Sequence, residues 1–395
     1  MIYADCAATT SLSRKALSAM MPYLTRNYGN PSSPYAIGRA AHAAVMDARQ
    51  EIAQCLGCSR GEILFTSGGS ESDNLAILSA AHFGKKLGKH TIITTNIEHP
   101  AVLNPLRRLE EQGFRILRIP VDEDGIVKVD QIQKAIGPDT CLVSVMMANN
   151  EIGTLQPIRQ IGEICRRSGI LFHTDAVQAV GHLPISLREW NVDLLSFSAH
   201  KFHGPKGVGG LYCRRGVDLT PLILGGSQER GKRAGTENVA GIGGMAAALR
   251  ESCDRMAENT AKVRQLRDML LEGLLKIPHT ALNGAAQPRL PGNINLCIED
   301  ALSENLLVLL DRAGICVSGG SACSSGSLEP SHVLLAIGRP EVLAFSGIRI
   351  TLDEENTAEE IPILLHEITR AVEQLRSTNP EYQKKQNGEK PFLLP

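Results

Sequence analysis

The chain has 395 residues, 43% of them hydrophobic and 21% charged, with a formal net charge of −1. That length exceeds the span over which one core keeps growing, so two domains are expected. The near-neutral charge and the 4% of aromatic residues argue against nucleic acid as a partner. The start, MIYADCAATT, has no basic segment followed by an apolar core, and no later run reaches the roughly 18 apolar residues of a membrane span. A cytoplasmic protein with no membrane partner is expected. Its ten scattered cysteines should then be free thiols.

In chain order, AAHAAVMDARQEIAQCLG reads as a helix that ends at Gly57. Cys55 and Cys58 of CLGC form a C-x-x-C with no second pair to complete a zinc site, and no strand of thioredoxin type precedes them, so they read as helix-end residues. EILFTSG, HTIITTNIEH, FRILRIPVD, TCLVSVMMANNE, ILFHTDA, DLLSFSAH and GVGGLYCRR read as strands. Between two of them PIRQIGEICRRSG places Ile158, Ile161, Ile164 and Cys165 on one helical face, with Pro157 in the first turn and Gly169 past the end. Several of these strands are apolar without alternation, which suits a sheet covered on both faces. The fold class is α/β, a doubly wound and mainly parallel seven-stranded sheet.

After about residue 250 the pattern changes. TAKVRQLRDMLLEGLLKI, SENLLVLLDRAG and NTAEEIPILLHEITRAVEQLRS are helical, NINLCIE and GIRITL are strands, and Thr357 with Glu360 makes a capping box. This part is a smaller α+β domain. The divisions are residues 14–255 for a large cofactor-binding domain, 1–13 and 256–377 for the small domain, and 378–395 for a polar tail expected to be a surface arm or disordered.

The chemistry falls at the carboxyl ends of the large-domain strands, where open α/β sheets bind ligands. FTSGGSESDNLAI is a strand, a glycine turn and a helix start, an arrangement that exposes backbone N–H groups to an anion. Asp175 follows the apolar run ILF, and Lys201 follows LLSF 26 residues later. A lysine for a Schiff base, a carboxylate for a pyridinium nitrogen and donors for a phosphate are what pyridoxal 5'-phosphate requires of a protein. VSGGSACSSGSLEPSHV, residues 317 to 333, sets Cys323 among glycines and serines, where neither helix nor strand is favoured.

The motifs YADCAATT, GNPSS, FTSGGSESDN, EH, NNEIGT, HTDAVQ, SAHKFHGPKG, ERGKRAGTEN, GSACSSGSLEPSHV and GIRITL occur in that order over nearly the whole chain up to about residue 375. In this set the chain resembles the cysteine desulfurases of the pyridoxal-phosphate class V aminotransferase superfamily, in the branch serving iron-sulfur cluster assembly and nitrogen fixation. The resemblance implies pyridoxal-phosphate fold type I and a homodimer. It makes Lys201 the Schiff-base lysine and general base, Asp175 the partner of the pyridine nitrogen, and His99 the residue stacked on the ring. Gln178 would lie near the ring oxygen, and Asn150 near that oxygen and the substrate carboxylate. Gly69, Ser70, Ser198 and His200 would bind the phosphate with Thr236 from a second subunit, while Arg349 would grip the carboxylate of L-cysteine. Cys323 would take the sulfur as a persulfide, leave L-alanine and hand the sulfur to an acceptor protein, for instance an iron-sulfur scaffold.

Some of these residues have ordinary alternatives. His99 could cap the helix after it, Ser70 could cap the helix after the glycine turn, and Arg349 could be a surface residue of a strand. His200 and His203 lack further ligands at zinc spacing, so no metal is expected. The chain departs from the family pattern at Cys6, where asparagine is usual, and at Tyr35, where histidine is usual. A selenocysteine lyase or another class V aminotransferase-like enzyme is the alternative activity.

Overall fold

The computed structural model describes residues 1–319 and 329–394; Cys323 lies outside the described residues. Its strands in chain order are β1 (Ile2–Tyr3), β2 (Ile63–Thr66), β3 (Thr91–Thr95), β4 (Arg115–Ile119), β5 (Thr140–Ser144), β6 (Leu171–Asp175), β7 (Leu194–Ser198), β8 (Gly209–Cys213), β9 (Thr280–Leu282), β10 (Asn293–Ile298), β11 (Ile315–Cys316), β12 (Ser318–Gly319) and β13 (Gly347–Thr351). The central sheet has seven strands in the order β2-β8-β7-β6-β5-β3-β4, and every strand runs the same way except β8, which is antiparallel to both neighbours.

The unalternating apolar runs are explained by cover on both faces. Ile63, Phe65, Ile93, Val143, Phe172, Leu195 and Phe197 pack on one side with Val45 and Ile52 of the helix Ala36–Cys55 and with Ile242 and Met245 of Val239–Asp254. Their neighbours Ile92, Leu142, Leu64 and Leu194 face the other way, toward the helices Gly69–Lys86 and Pro100–Glu111. The helix Ile158–Ser168 ends at Gly169 in the left-handed conformation (φ 64°) expected of a glycine stop. The helix Ala36–Cys55 ends at Cys55, and Gly57 (φ 67°) turns the chain, so CLGC is a helix end.

A second, antiparallel sheet β12-β13-β10-β9 carries its own core, packed against the helices Met256–Leu274, Ser303–Arg312 and Glu360–Ser377. Of the expected capping box, Glu360 supplies its half, accepting the Thr357 N–H at 3.1 Å, but the helix itself starts at Glu360. The amino-terminal segment joins the two sheets. Asp5 bridges to Thr351, Ala7 N–H donates to Thr351 Oγ1 at 2.9 Å, and Thr10 N–H donates to the His200 carbonyl at 2.9 Å.

One strand ends earlier than expected, and the tail takes the first of its two expected forms. The strand at TCLVSVMMANNE stops at Ser144. Beyond it, the Met146 N–H turns to the Glu98 carboxylate at 3.0 Å, while the Val145 and Met147 N–H groups still donate to the His173 and Asp175 carbonyls of β6. The tail is an ordered surface arm: Pro380–Gln386 is a helix, Lys385 pairs with Glu299 at 2.6 Å and Asp300 at 2.9 Å, Phe392 stacks on His279 at 3.4 Å between centroids, and Leu394 is buried. The nine described cysteines are all free. Among the described residues no helix is long and apolar enough to cross a membrane.

Candidate active site

A cavity of about 340 Å³ opens at the carboxyl ends of β6 and β7. It gathers Gly69, Ser70, His99, Asn150, Asp175, Gln178, Ser198, His200, Lys201 and Arg349 from segments spread over 280 residues (349 − 69). Thr236 is exposed and lines a separate surface hollow with Tyr28 and Asn30, away from this cavity. No group of three or more His, Cys, Asp or Glu side chains among the described residues is arranged to hold a metal.

One end of the cavity is built for an anion. Gly68 is the N-cap of the 18-residue helix Gly69–Lys86 and supplies no side-chain cap, so the first N–H groups of that helix face the opening. Ser70 lies inside the helix and is not its cap. A Cβ on Gly69 would sit 2.5 Å from Val177 Cγ2, so the glycine is what lets backbone and cavity approach. His200 stands beside this end with Nδ1 3.2 Å from Thr9 Oγ1; burial, then Lys201 and Lys206, push its pKa down to about 4, so the ring is neutral. Lys206 lines the same end and was missed from sequence although SAHKFHGPKG contains it.

The middle is built for a cation and a ring. Asp175 ends β6 and accepts the Val177 N–H at 2.9 Å. Burial, with Asp73 close by, raises its carboxyl above the ordinary range. Asp73 is fully buried, its pKa raised by burial to about 7, with its Oδ1 3.5 Å from Nε2 of His173, a ring that burial itself keeps neutral. Two buried acids are therefore gathered where a protonated pyridine nitrogen would supply the missing positive charge. His99 caps the helix Pro100–Glu111, its Nδ1 accepting the Ala101 N–H at 3.1 Å, and it also lines the cavity. Burial lowers its pKa, and the neutral ring carries its proton on Nε2. Below it, burial lifts Glu98 to about 8.

The far end is lined by Lys201, Gln178 and Arg349. Lys201 Nζ donates to the carbonyls of Ala7 at 2.6 Å and Ala8 at 2.8 Å, and Gln178 Nε2 donates to Ala7 at 3.0 Å. Arg349 on β13 is 2% exposed, which rules out a surface role. Its Nη1 donates to the Asn150 carbonyl at 3.1 Å and its Nη2 to Asp5 Oδ1 at 2.8 Å. Its Nε is buried with no hydrogen-bond partner among the described residues. Ala7 and Ala8, which line this end, and the buried Asp73, Glu98 and His173 were not named individually from sequence, although the motifs YADCAATT, FTSGGSESDN, EH and HTDAVQ contain them.

These residues fit pyridoxal phosphate: an uncapped helix start for the phosphate, buried carboxylates for the ring nitrogen, and a lysine amine within one cavity. The aminotransferase class-V family model matches residues 2–364. The chain is 49% identical over 379 residues to a cysteine desulfurase IscS of Methanosarcina thermophila, covering 96% of this chain and 94% of that protein. It is also 49% identical over 380 residues to a cysteine desulfurase IscS of Dictyoglomus turgidum, covering 96% of each. A solved NifS-like protein superposes with a TM-score of 0.89 at 39% identity, covering 94% of this chain and 99% of that one. The structure of SspA in complex with cysteine superposes at 0.79 with 36% identity, covering 89% and 99%. The chain belongs to the aminotransferase class-V family, among its pyridoxal-phosphate-dependent cysteine desulfurases.

Proposed function

We propose that the chain removes sulfur from L-cysteine at this cavity and stores it as a persulfide on Cys323, for delivery to an acceptor protein such as an iron-sulfur scaffold. The observation that carries the assignment of roles is the convergence of the Lys201 amine, the Asp175 carboxylate and the Arg349 guanidinium on one cavity. The phosphate would be held by the N–H groups of Gly69 and Ser70, by Ser198 and His200, and by Thr236 of a second copy in a homodimer. An exposed Thr236 beyond the cavity of its own chain supports that last role. Asp175 would hold the ring nitrogen, His99 the ring face, and Gln178 and Asn150 the ring oxygen.

Bound pyridoxal phosphate supplies an electron sink for the charge left when the substrate Cα loses its proton. Arg349 holds the substrate carboxylate through its buried Nε edge, a task suited to a planar fork. Lys201 takes the Cα proton and can return one to the carbon skeleton, because its amine already sits between the cavity and the Ala7 and Ala8 carbonyls. The Cys323 thiolate attacks the substrate sulfur; the carbon–sulfur bond breaks, its electron pair stays with carbon and is protonated, and the sum is L-cysteine plus thiol giving L-alanine plus persulfide. The chain divides, on this reading, into a large domain of residues 14–255, a small domain of 1–13 and 256–377, and the arm 378–395. The free thiols of the nine described cysteines support a reducing, cytoplasmic setting.

Mass spectrometry after a single turnover tests the assignment. The extra sulfur is expected on Cys323 alone, and Cys323→Ala should bind L-cysteine while releasing almost no alanine. Extra sulfur on Cys6 or Cys316, with activity kept in the alanine variant, would overturn it.

A further inference from the structure

Asp5 is shared between two residues far from it in sequence. Its Oδ1 accepts from Arg349 Nη2 at 2.8 Å and its Oδ2 from Ser318 Oγ at 2.7 Å. Ser318 and Arg349 are themselves direct partners across the β12–β13 pairing. Asp5 is fixed at the backbone too, through its bridge to Thr351 two residues along β13. The carboxylate is therefore held on both oxygens, and the arginine it holds is almost wholly buried.

We propose that Asp5 is a positioning residue for the desulfurase reaction, setting the plane of the Arg349 guanidinium so that its Nε edge meets the carboxylate of the incoming amino acid. The inference rests on Arg349 as the carboxylate-binding residue. A guanidinium has one plane and two usable edges, and only a correctly turned edge can make paired hydrogen bonds to a carboxylate. Asn150 fixes Nη1 by its carbonyl and Asp5 fixes Nη2, so the remaining edge is oriented before substrate arrives and less ordering is lost on binding. Ser318 fixes Asp5 in turn. The same carboxylate thus ties the substrate grip to β12, the strand that ends at Gly319.

The test is spectral titration of the holoenzyme with L-alanine and, separately, with ethylamine, which lacks only the carboxylate. Asp5→Ala is expected to weaken L-alanine binding about ten-fold and leave ethylamine unchanged, the loss of one charge-assisted hydrogen bond and its orientation. Asp5→Asn keeps an acceptor for Nη2 and a partner for Ser318, and should stay within about three-fold of the wild type. Ser318→Ala, which removes the Ser318 Oγ bond to Asp5 but not the Asp5–Arg349 pair, should show the same selectivity at about two- to three-fold. Equal affinities in Asp5→Ala and wild type, or equal losses for L-alanine and ethylamine, overturn the role of Asp5, as does an Asn variant as weak as the alanine one. Arg349→Lys separates the two layers. If it keeps the L-alanine preference, the carboxylate assignment itself fails; if it loses the preference while Asp5→Ala keeps it, only the role of Asp5 fails.

Discussion

The Lys201 amine donates a 2.6 Å hydrogen bond to the carbonyl of Ala7, 194 residues away in the chain. The same carbonyl receives Gln178 Nε2, so the amino-terminal segment holds two cavity residues in place at once. Lys201→Ala is expected to yield a colourless protein after purification with the cofactor, and alanine release from L-cysteine should fall by about 10²- to 10⁴-fold. Sulfide and alanine assays check it, and a yellow variant with full turnover would contradict the role of the lysine.

Asp175 is expected to trade stability for function. Burial beside Asp73 raises its carboxyl, so in the cofactor-free chain the ionised form is unfavourable and its cost grows as pH rises above the unfolded value near 3.8. Asp175→Asn should therefore match or exceed the wild type in thermal midpoint at pH 8 when both are stripped of cofactor, while kcat/KM of the loaded enzyme falls about 10²-fold. Calorimetry and steady-state assays read the two halves separately. A variant both less stable and fully active would reverse the argument.

His203 lies 3.5 Å from Asp353 and 3.6 Å from Glu354, with its side chain 7% exposed. Burial opposes its charge, but Glu354, Asp353 and Glu355 outweigh burial and lift its pKa to about 9. A folded pKa above the unfolded value of 6.5 means that this stabilisation is complete below pH 6.5 and is lost as pH rises through 9. Glu354 is held at about 2, against burial, by the positive charge of His203 3.6 Å away, so its share is complete above 4.5 and is lost as pH falls through 2. Denaturant midpoints should decline from pH 6.5 to 9 in the wild type, and His203→Gln should flatten that decline. Parallel curves for the two proteins would exclude the pair as its source.

Leu394 is 7% exposed and packs with Ile97, Met146 and Val333, while the Glu299 carboxylate takes the Leu393 and Leu394 N–H groups at 2.9 to 3.0 Å. Leu394→Ala should cost about 1–2 kcal/mol from lost apolar burial, read as a lower urea midpoint at unchanged slope. An unchanged midpoint would show that the arm contributes nothing to stability.

The tail shows why some features were hard to read. NPEYQKKQNGEKPFLLP is polar enough to suggest an arm, but its anchors are Phe392 and Leu394, and their receiving surfaces, His279 and the cluster around Val333, belong to distant segments. His99 has the opposite lesson. Its position after a strand and before a proline-started helix predicts a cap, which is a local property, whereas its role at the site was implied only by the family resemblance.

The seven strands of the large sheet, the helix Ile158–Ser168 with its glycine stop and the motif positions of Lys201, Asp175 and Gly69 were determined by the sequence alone, since apolar period, turn residues and strand ends act over a few residues. Tertiary structure decided what those residues face. It set Asp5 between Arg349 and Ser318, buried Asp73 beside Asp175, and placed the Ala7 carbonyl under Lys201. Such contacts join positions up to 344 residues apart, and burial, which lifts the carboxyls of Asp73 to about 7 and Glu98 to about 8, is a property of the packed chain that no local pattern carries.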